Sequence, residues 1–580
     1  MTRRDLLVRA LSTGLASGFP KTDTARPNII LIVADDQGWW DIGANGNPHI
    51  STPDLDRLAS EGVRFTHFYC SPVCSPTRAS IMTGRHYQRT GAVDTYKGRD
   101  TLDEAEVTLP TLLRTRGYKT ACVGKWHLGR YMRYHPQNRG FDQFFGFWQY
   151  GFINDYDDTN EFFEGKERVE TTGYVTDVLT TRALSFIEQN RSNPFFLYLT
   201  YNAPHVPLLV PDSYIQPYVS KGIPLNEARI YAMMTCIDAN VAKLTASLAK
   251  NGLADSTLLI YMSDNGGVGK HYRAGLRGAK GSCYEGGVRV PCIARWPGKI
   301  PAGAVVDAPA QHIDLLPTLC EVAGTAPPAE RTIDGKNIAS LLRSGKGESP
   351  HDYLYHQWNR GRPVLRAVDD DPELKASWSI CDRRGFKLHS SGELFNLRSD
   401  RGESQDLANA QPQISAELRK EFERWFADVT NRKYSRVPIE IGRPDENPVE
   451  IDLTWADAVG KVVPQYRSYN RDTTEQWSSP EDYLTWKIDV ATPGEYEWTV
   501  SYGCETEGGG SRTKLQFGKA SAEYTFQPTS GRMVFVTRPA GLLKLTRGPG
   551  LLELRAAHIA GKQMPAIHKI WLRRVGPTSA

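Results

Sequence analysis

Three short runs of apolar residues constrain the fold of this chain most strongly, because each run is apolar on both faces and stops abruptly at polar residues. The runs are Asn28–Ala34, Phe195–Leu199 and Thr257–Met262. Strands of this kind are typical of a parallel sheet that helices cover on both sides. Strand and helix signals also alternate over residues 27–345, as they do in α/β proteins. The sequence therefore predicts a buried, mostly parallel sheet.

Polar residues follow each predicted strand at its carboxyl end. They are Asp35 and Asp36 after the first run, His205 after the second, and Asp264 and Asn265 after the third. Parallel sheets bind ligands beyond the carboxyl ends of their strands, so we expect these side chains to converge. Each acidic pair alone is typical of a turn. Together, their hard oxygen atoms suit Ca²⁺ or Mg²⁺ better than zinc, and a cation would relieve the repulsion between crowded carboxylates.

The segment Cys74–Arg78, with the sequence CSPTR, places a thiol beside a proline and a guanidinium four residues after the thiol. If the chain is helical after Pro76, Arg78 lies one turn from Cys74 and can hold a group that this cysteine carries. The simpler alternative is a structural or disulfide-bonded cysteine. Cys70 is an internal control, since a proline also stands two residues after it but the arginine is missing.

Two further segments carry basic residues among glycines. Lys119–Gly129 ends in the string GKWHLG, and an extended segment would place Lys125 and His127 on one face. Leu276–Pro291 contains Lys280 and several glycines, which permit a close approach between the backbone and a ligand. Taken alone, such basic residues are more often solvated surface than part of a site.

With these motifs in this order, the chain resembles the formylglycine-dependent sulfatases, an arylsulfatase-like family of the alkaline phosphatase superfamily. The resemblance implies an α/β fold with a large mixed, mostly parallel sheet flanked by helices, followed by a smaller C-terminal α/β subdomain. It also implies that a formylglycine-generating, sulfatase-maturing enzyme oxidises Cys74 to formylglycine (3-oxoalanine). The hydrate of this aldehyde would be the nucleophile: one hydroxyl would attack sulfur and expel the alcohol, and the second would lose its proton, which ejects sulfate and restores the aldehyde.

The resemblance also implies a role for each candidate residue. The ligands of one calcium ion, with Mg²⁺ the less favoured choice, would be Asp35, Asp36, Asp264, Asn265 and the oxygen of converted Cys74. Arg78 and His127 would orient the aldehyde hydrate. Lys125, His205 and Lys280 would grip the sulfate, and either His205 or Lys280 would protonate the leaving oxygen.

Three functions remain in view. The resemblance implies a sulfatase that hydrolyses sulfate monoesters, acting on a sulfated sugar or polysaccharide. A phosphonate or phosphate ester hydrolase of the same superfamily is the second hypothesis, because the same cation pocket suits a tetrahedral phosphoryl group. A non-catalytic glycan-binding protein is disfavoured, since every catalytic position is present. Recognition of the leaving group is predicted in the loops 148–164 and 358–371. Trp39, Trp40 and Trp148 can stack on sugar rings, although core packing is the more common use of tryptophan.

At 580 residues the chain is long enough for two or three domains. We predict a catalytic domain over 27–345 and its C-terminal subdomain over 346–445. Short strands separated by Gly and Pro turns then recur, and Tyr496–Tyr502 alternates apolar and polar residues. This pattern predicts an appended β-sandwich over 446–580, which resembles jelly-roll carbohydrate-binding modules. A purely structural cap is the open alternative.

Residues 1–26 match a twin-arginine export signal, with Arg3 and Arg4 preceding an apolar stretch, so we expect a periplasmic or secreted protein. A disordered basic tail is the alternative. The net charge of +4 is small, and neither a nucleic-acid-binding basic run nor a stretch long enough to span a bilayer is present. Nine cysteines leave eight once Cys74 is converted, which would permit a few disulfides.

Overall fold

The computed structural model of the protein describes residues 26–159, 161–269, 272–359, 377–431, 436–465 and 472–576. The predicted export signal lies outside these residues, except for Arg26, and so does most of the predicted loop 358–371. Within the described ranges, no helix combines the length and the apolar character needed to cross a membrane. All nine cysteines are described, and each thiol is buried and free. The few disulfides that the cysteine count allowed are therefore not formed.

A mixed sheet of eleven strands forms the centre of the described structure. Its strands are β1 (Asn28–Ala34), β2 (Val63–Tyr69), β3 (Lys119–Lys125), β4 (Gln143–Phe147), β5 (Phe162–Glu164), β6 (Glu167–Val169), β7 (Phe195–Thr200), β8 (Thr257–Ser263), β9 (Arg289–Arg295), β10 (Ala304–Val306) and β11 (Ala310–Gln311). Their order is β10-β2-β9-β8-β1-β7-β3-β4-β5-β6, and β11 pairs with β2. Strand β1 runs parallel to both β7 and β8, which confirms the three predicted central strands.

Helices cover both faces of this sheet, which explains why its central strands are apolar on both sides. They are Pro53–Ser60, Cys74–Thr83, Leu109–Arg114, Val175–Gln189, Asp212–Val219, Leu225–Lys250, Glu285–Val288, Leu315–Val322 and Ala339–Ser344. Successive residues of β1 enter opposite cores, with Ile29 and Leu31 in one and Ile30 and Ile32 in the other. This is the two-residue alternation of a strand that is buried on both faces.

A smaller antiparallel sheet follows the large one, as the predicted C-terminal subdomain requires. Its strands, which are also adjacent in this order, are β12 (Tyr353–Gln357), β13 (Trp378–Asp382), β14 (Phe386–His389) and β15 (Leu394–Asn396). The helix Pro412–Val429 packs on this sheet, and the ring of Phe422 stacks on that of Trp378 with 4.0 Å between centroids. The small α/β unit thus has its own apolar core.

A cluster of buried charges joins the two sheets. The ammonium group of Lys387 lies 2.9 Å from Glu285 Oε1 and 3.0 Å from Glu403 Oε1, and all three side chains are buried. Glu403 also accepts a hydrogen bond of 2.7 Å from the backbone nitrogen of Glu285. Glu285 belongs to the glycine-rich segment that carries Lys280. The cluster therefore anchors one end of that segment to the smaller sheet.

We expect Lys387→Met to destabilise the protein by about 3–5 kcal/mol, because the buried Glu403 would lose its lysine partner and Glu285 would keep only Arg289, 3.5 Å away. Chemical denaturation measures the change. Lys166→Met is the matched control, since Lys166 pairs with Asp445 at 3.0 Å in a partly exposed position. Such surface pairs contribute only about 0–1 kcal/mol. Equal losses of stability in the two variants would contradict the structural importance of the buried cluster.

Two sheets that share one core form the C-terminal part of the chain. The strands of this part are β16 (Ile439–Ile441), β17 (Val449–Ile451), β18 (Asp457–Val459), β19 (Val463–Gln465), β20 (Thr473–Glu475), β21 (Tyr483–Val490), β22 (Gly494–Cys504), β23 (Arg512–Phe517), β24 (Ala520–Thr525), β25 (Gly531–Leu545), β26 (Gly548–His558) and β27 (Ala566–Val575). One sheet has the order β16-β21-β26-β23-β24 with β18 beside β21, and the other has the order β17-β27-β22-β25. Strands β19 and β20 pair separately.

The core between these sheets takes large side chains from both, including Trp486 from β21 and Trp498 from β22. This arrangement is the predicted β-sandwich. Strand β16 already pairs with β21, so the C-terminal sheets begin earlier in the chain than the predicted boundary at residue 446.

Candidate active site

The polar residues that follow the central strands lie together at one edge of the large sheet. Carboxylate oxygens of Asp35, Asp36 and Asp264 all lie within 4.8 Å of one another. The amide nitrogen of Asn265 donates to Asp36 Oδ1 at 2.8 Å, and His205 Nε2 lies 3.6 Å from Asp36 Oδ2. The structure thus brings these five residues together, because the parallel strands β1, β7 and β8 end at the same edge.

Cys74 and Arg78 reach the same cluster from the helix Cys74–Thr83, whose first residue is Cys74. The Cys74 Sγ lies 3.5 Å from Asp35 Oδ1, and the side chain of Cys74 is buried. One turn later, Arg78 donates from Nε and Nη2 to Asp264 Oδ2 at 3.0 and 2.8 Å. The predicted one-turn spacing of the thiol and the guanidinium is therefore present, and Arg78 is held by a buried carboxylate.

The unmodified thiol of Cys74 is a poor nucleophile in this setting. Burial, followed by the charge of Asp264, raises the pKa of Cys74 well above its usual range, so the thiol keeps its proton. The control residue Cys70 is also buried, but its Sγ contacts the backbone carbonyl of Val288 at 3.4 Å and not the acidic cluster. The two cysteines therefore have different surroundings despite their similar local sequences.

Two lysines also contact the cluster. Lys125 Nζ lies 2.6 Å from Asp35 Oδ2 and is fully buried, whereas Lys280 Nζ lies 2.6 Å from Asp36 Oδ1 with a side chain that is 20% exposed. Burial, supported by the charge of Asp264, raises the pKa of Asp35 to about 7. Burial also raises the pKa of Asp36, but Lys280 and other neighbours lower it overall to below its ordinary value. Lys280 therefore keeps Asp36 ionised.

His127 reaches the site in a different way from the one the sequence predicted. Strand β3 ends at Lys125, and the backbone of His127 is left-handed, with φ of 57°. The expectation that an extended segment places both residues on one face is therefore wrong. A left-handed non-glycine residue costs about 1–3 kcal/mol and is typical of functional sites, and Asp36 has the same feature with φ of 67°.

The imidazole of His127 is buried and neutral. Its Nε2 lies 2.8 Å from the carbonyl oxygen of Thr95, whereas its Nδ1 has no hydrogen-bond partner among the described residues. Burial, followed by the charge of Lys125, holds the pKa of His127 far below its usual value. In His205, burial lowers the pKa to about 3, although Asp36 opposes the shift, and Nδ1 lies 2.7 Å from the carbonyl oxygen of Val206.

The donor set fits a hard divalent cation. The side-chain oxygen of Asn265 is buried and has no hydrogen-bond partner among the described residues. It joins the three clustered carboxylates of Asp35, Asp36 and Asp264, which provide further oxygen atoms. Oxygen-rich sets of this kind suit Ca²⁺ or Mg²⁺ and suit zinc poorly.

A cavity of about 1110 Å³ opens over Cys74. The predicted recognition loop 148–164 contributes to its lining, and the ring of Phe152 stacks on His205 with 5.9 Å between centroids. The sequence did not single out Lys97 or Asp100, which also line the cavity. Neither residue belongs to a recognisable motif, so only the fold brings them to the site.

The tryptophans considered as sugar platforms belong to the protein core. Trp39, Trp40 and Trp148 are 5%, 0% and 1% exposed, respectively, and none lines the cavity over Cys74. Trp455 of the C-terminal sandwich does line it. The sequence offered no signal for this tryptophan, because it lies in a different domain from the motifs.

Comparison with known proteins places this site in context. The family profile described as Sulfatase matches residues 27–325, and the profile described as N-sulphoglucosamine sulphohydrolase, C-terminal, matches residues 279–428. N-acetylgalactosamine-6-sulfatase of Sus scrofa is 32% identical over 478 residues, covering 72% of this chain and 88% of that protein. Arylsulfatase G of Rattus norvegicus is 32% identical over 498 residues, covering 73% of this chain and 91% of that protein. The crystal structure of Ps i-CgsB in complex with k-i-k-neocarrahexaose matches with a TM-score of 0.63 and 30% identity, covering 71% of this chain and 94% of that one.

Proposed function

The chain belongs to the sulfatase family and is a sulfuric ester hydrolase, and from this premise we propose that it desulfates a carbohydrate through formylglycine made from Cys74. The observation that carries the proposal is the position of Cys74, which lies at a buried acidic cluster with Arg78 one turn later. Two similar proteins support a sulfated sugar as substrate, since one is named for N-acetylgalactosamine-6-sulfate and the other was solved with a neocarrahexaose.

Oxidation of Cys74 by a maturation enzyme would give the site the nucleophile that the protonated thiol cannot provide. The hydrated aldehyde supplies a hydroxyl for attack on sulfur. Arg78 is positioned near it by its double hydrogen bond to Asp264. The unpartnered Nδ1 of His127 is available to accept a hydrogen bond from this hydroxyl, because the other ring nitrogen faces the carbonyl of Thr95.

We further propose that the cation is one Ca²⁺ ion. The residues that would hold it are Asp35, Asp36, Asp264 and Asn265, together with the side chain of converted Cys74. When bound, a divalent cation stabilises negative charge on a sulfuryl oxygen as a Lewis acid. Calcium is favoured over magnesium because a donor set of several protein oxygens resembles calcium sites, whereas Mg²⁺ usually keeps several of its waters.

The basic residues around the cluster suit the charge changes of sulfate ester hydrolysis. Negative charge moves onto the ester oxygen in the transition state, and fixed cations nearby lower the barrier. The ammonium groups of Lys125 and Lys280 are such cations, and each Nζ lies 2.6 Å from a carboxylate oxygen, of Asp35 and Asp36 respectively. Lys280, or His205 once its imidazole is protonated, would donate a proton to the leaving oxygen, and both residues line the cavity.

Sulfate release from a panel of sulfated oligosaccharides by the mature protein tests the proposed substrate class. Turnover of an aryl sulfate and of the matching aryl phosphate is measured in parallel. We expect kcat/KM to be at least about 100-fold higher for the sulfate ester, which corresponds to about 2.7 kcal/mol of transition-state stabilisation. A preference for the phosphate would favour the phosphoester hydrolase hypothesis instead.

Gly151 provides a test of the position of His127. A Cβ atom at Gly151 would lie 2.4 Å from Cε1 of His127, so Gly151→Ala must displace the imidazole. We expect kcat for an aryl sulfate to fall about 100-fold, since a catalytic group misplaced by about 1 Å has effects of this size. Gly531→Ala is the control, because its Cβ would meet only Val534 at 3.5 Å. An unchanged kcat in the folded Gly151→Ala protein would show that the position of this ring does not limit the reaction.

A further inference from the structure

The cavity over Cys74 has walls from two parts of the fold. One wall carries Cys74, His127 and Lys280, which belong to the helices and loops that connect the strands of the large sheet. Among the described residues, nine of the twenty-five that line the cavity come from the C-terminal sandwich, between Asp452 and Gln476. Neither family profile extends beyond residue 428, so this wall is not part of the matched sulfatase units.

The sandwich is firmly attached at this wall. Arg130, in the segment that follows the GKWHLG string, donates to Glu450 Oε1 at 2.7 Å and forms an ion pair with Asp452. The Tyr131 hydroxyl donates to the carbonyl oxygen of Glu450 at 3.1 Å. The Tyr131 ring also packs edge-on against Trp455, with 4.9 Å between centroids. These contacts fix the spacing between the wall and the catalytic groups, because they begin only three residues after His127.

The backbone near Trp455 shows how close this contact is. A Cβ atom at Gly98 would lie 2.9 Å from the indole of Trp455, and Gly98 has φ of 73°. Glycine adopts this conformation without strain and, having no Cβ atom, leaves room for the ring. Trp455 is therefore held between the catalytic part and the sandwich while one part of it lines the cavity.

The chemistry of the wall suits a hydroxyl-rich ligand. Seven of its nine described residues have side chains that can form hydrogen bonds, and Gln465 and Gln476 among them are exposed. Amide side chains both donate and accept hydrogen bonds, as sugar hydroxyls do. The cavity volume of about 1110 Å³ lies above the roughly 300–1,000 Å³ that is usual for a small-molecule pocket. There is room for more than the sulfated ring alone.

We propose that this wall, through the exposed amides of Gln465 and Gln476 beside the buried Trp455, binds the sugar unit next to the sulfated ring of an oligosaccharide. The proposal rests on the proposed function, since it takes the sulfate to lie over Cys74. It gives the sandwich a part in substrate selection and distinguishes it from a structural cap.

The double variant Gln465→Ala, Gln476→Gly removes the two exposed amides. Glycine is the choice at 476 because the backbone there has φ of 56°, which glycine adopts without strain. We compare kcat/KM for 4-nitrophenyl sulfate, which carries no sugar, with kcat/KM for a panel of sulfated carrageenan and glycosaminoglycan hexasaccharides. For the best hexasaccharide we expect a fall of about tenfold, the effect of losing two hydrogen bonds, and for the aryl sulfate a change of less than about twofold.

Two controls separate recognition from folding. Gln527→Ala removes another exposed glutamine of the sandwich, one that does not line this cavity. It should leave kcat/KM unchanged for both the aryl sulfate and the hexasaccharides. The second control measures binding of the same hexasaccharides by calorimetry and does not depend on turnover. It compares Cys74→Ala protein with Cys74→Ala protein that also carries the two glutamine substitutions. The affinity should fall by the same factor of about ten.

Unchanged hexasaccharide kinetics, or an equal loss on both substrates, would overturn this proposal and leave the sandwich as a cap. Hydrolysis of 4-nitrophenyl sulfate with neither binding nor turnover of any hexasaccharide would also overturn it, while the sulfatase activity would stand. No sulfate release from any substrate would contradict the proposed function instead. The binding comparison would then decide the role of the wall independently.

Discussion

Cys74→Ala is expected to lower kcat for sulfate release by about 10⁴–10⁶-fold, the range seen when an enzyme loses its nucleophile. The proposed mechanism provides no other nucleophile at the acidic cluster. Peptide mass spectrometry of protein from a host that oxidises sulfatases should show formylglycine at position 74. Binding of a sulfated oligosaccharide should persist in the variant, since the basic residues around the cluster are unchanged.

Cys70→Ala is the matched control for this substitution. Cys70 stands four residues earlier, is equally buried and contacts the carbonyl of Val288. We expect kcat of the Cys70→Ala variant to stay within about threefold of kcat of the unsubstituted protein. Removal of a small buried group affects the free energy of unfolding more than the chemical step. A free thiol at position 74 in fully active protein would refute the formylglycine mechanism.

The second large effect is expected for Asp35→Asn, which removes one charge from the proposed calcium site. Calcium bound to dialysed protein should fall from about one ion per chain to a small fraction, and kcat should fall by about 10³-fold as metal-derived charge stabilisation is lost. Added Ca²⁺ should raise the melting temperature of the unmodified protein, because the ion binds the folded state, and should have no such effect on the variant. Removal of calcium by EGTA should likewise abolish turnover reversibly.

Asp238→Asn separates metal binding from a general loss of stability. Asp238 is a buried carboxylate outside the site that accepts a hydrogen bond of 2.7 Å from the backbone nitrogen of Leu55. This variant should melt at a lower temperature but keep its calcium and the stabilisation that calcium confers. Full calcium content and full activity in Asp35→Asn would remove Asp35 from the metal site.

The central strands and the residues that follow them could be predicted because their signal is local. A strand buried on both faces needs a continuous apolar run, and β1, β7 and β8 show such runs. The polar residues after each run must then meet, since neighbouring parallel strands end at one edge. The helix after Pro76 entered the sequence analysis only as a condition, and the structure shows a helix that begins at Cys74.

The position of His127 could not be predicted in this way. Its backbone is left-handed just after the end of β3, and its ring lies against residues far away in the sequence, namely Thr95 and Gly151. The two-residue alternation of a strand does not apply beyond the strand end at Lys125. The prediction failed because it applied the side-chain alternation of a strand to a residue beyond the end of β3.

By itself, the sequence determined the layered α/β sheet, the motif at Cys74, and the convergence of the acidic pairs, because each depends on residues close together along the chain. Only the tertiary structure decided which remote groups complete the site. The buried pairing of Lys387 with Glu285 and the contact between Tyr131 and Trp455 join residues that are far apart along the chain. Such contacts arise from the packing of whole domains, and no local pattern of polarity or spacing encodes them.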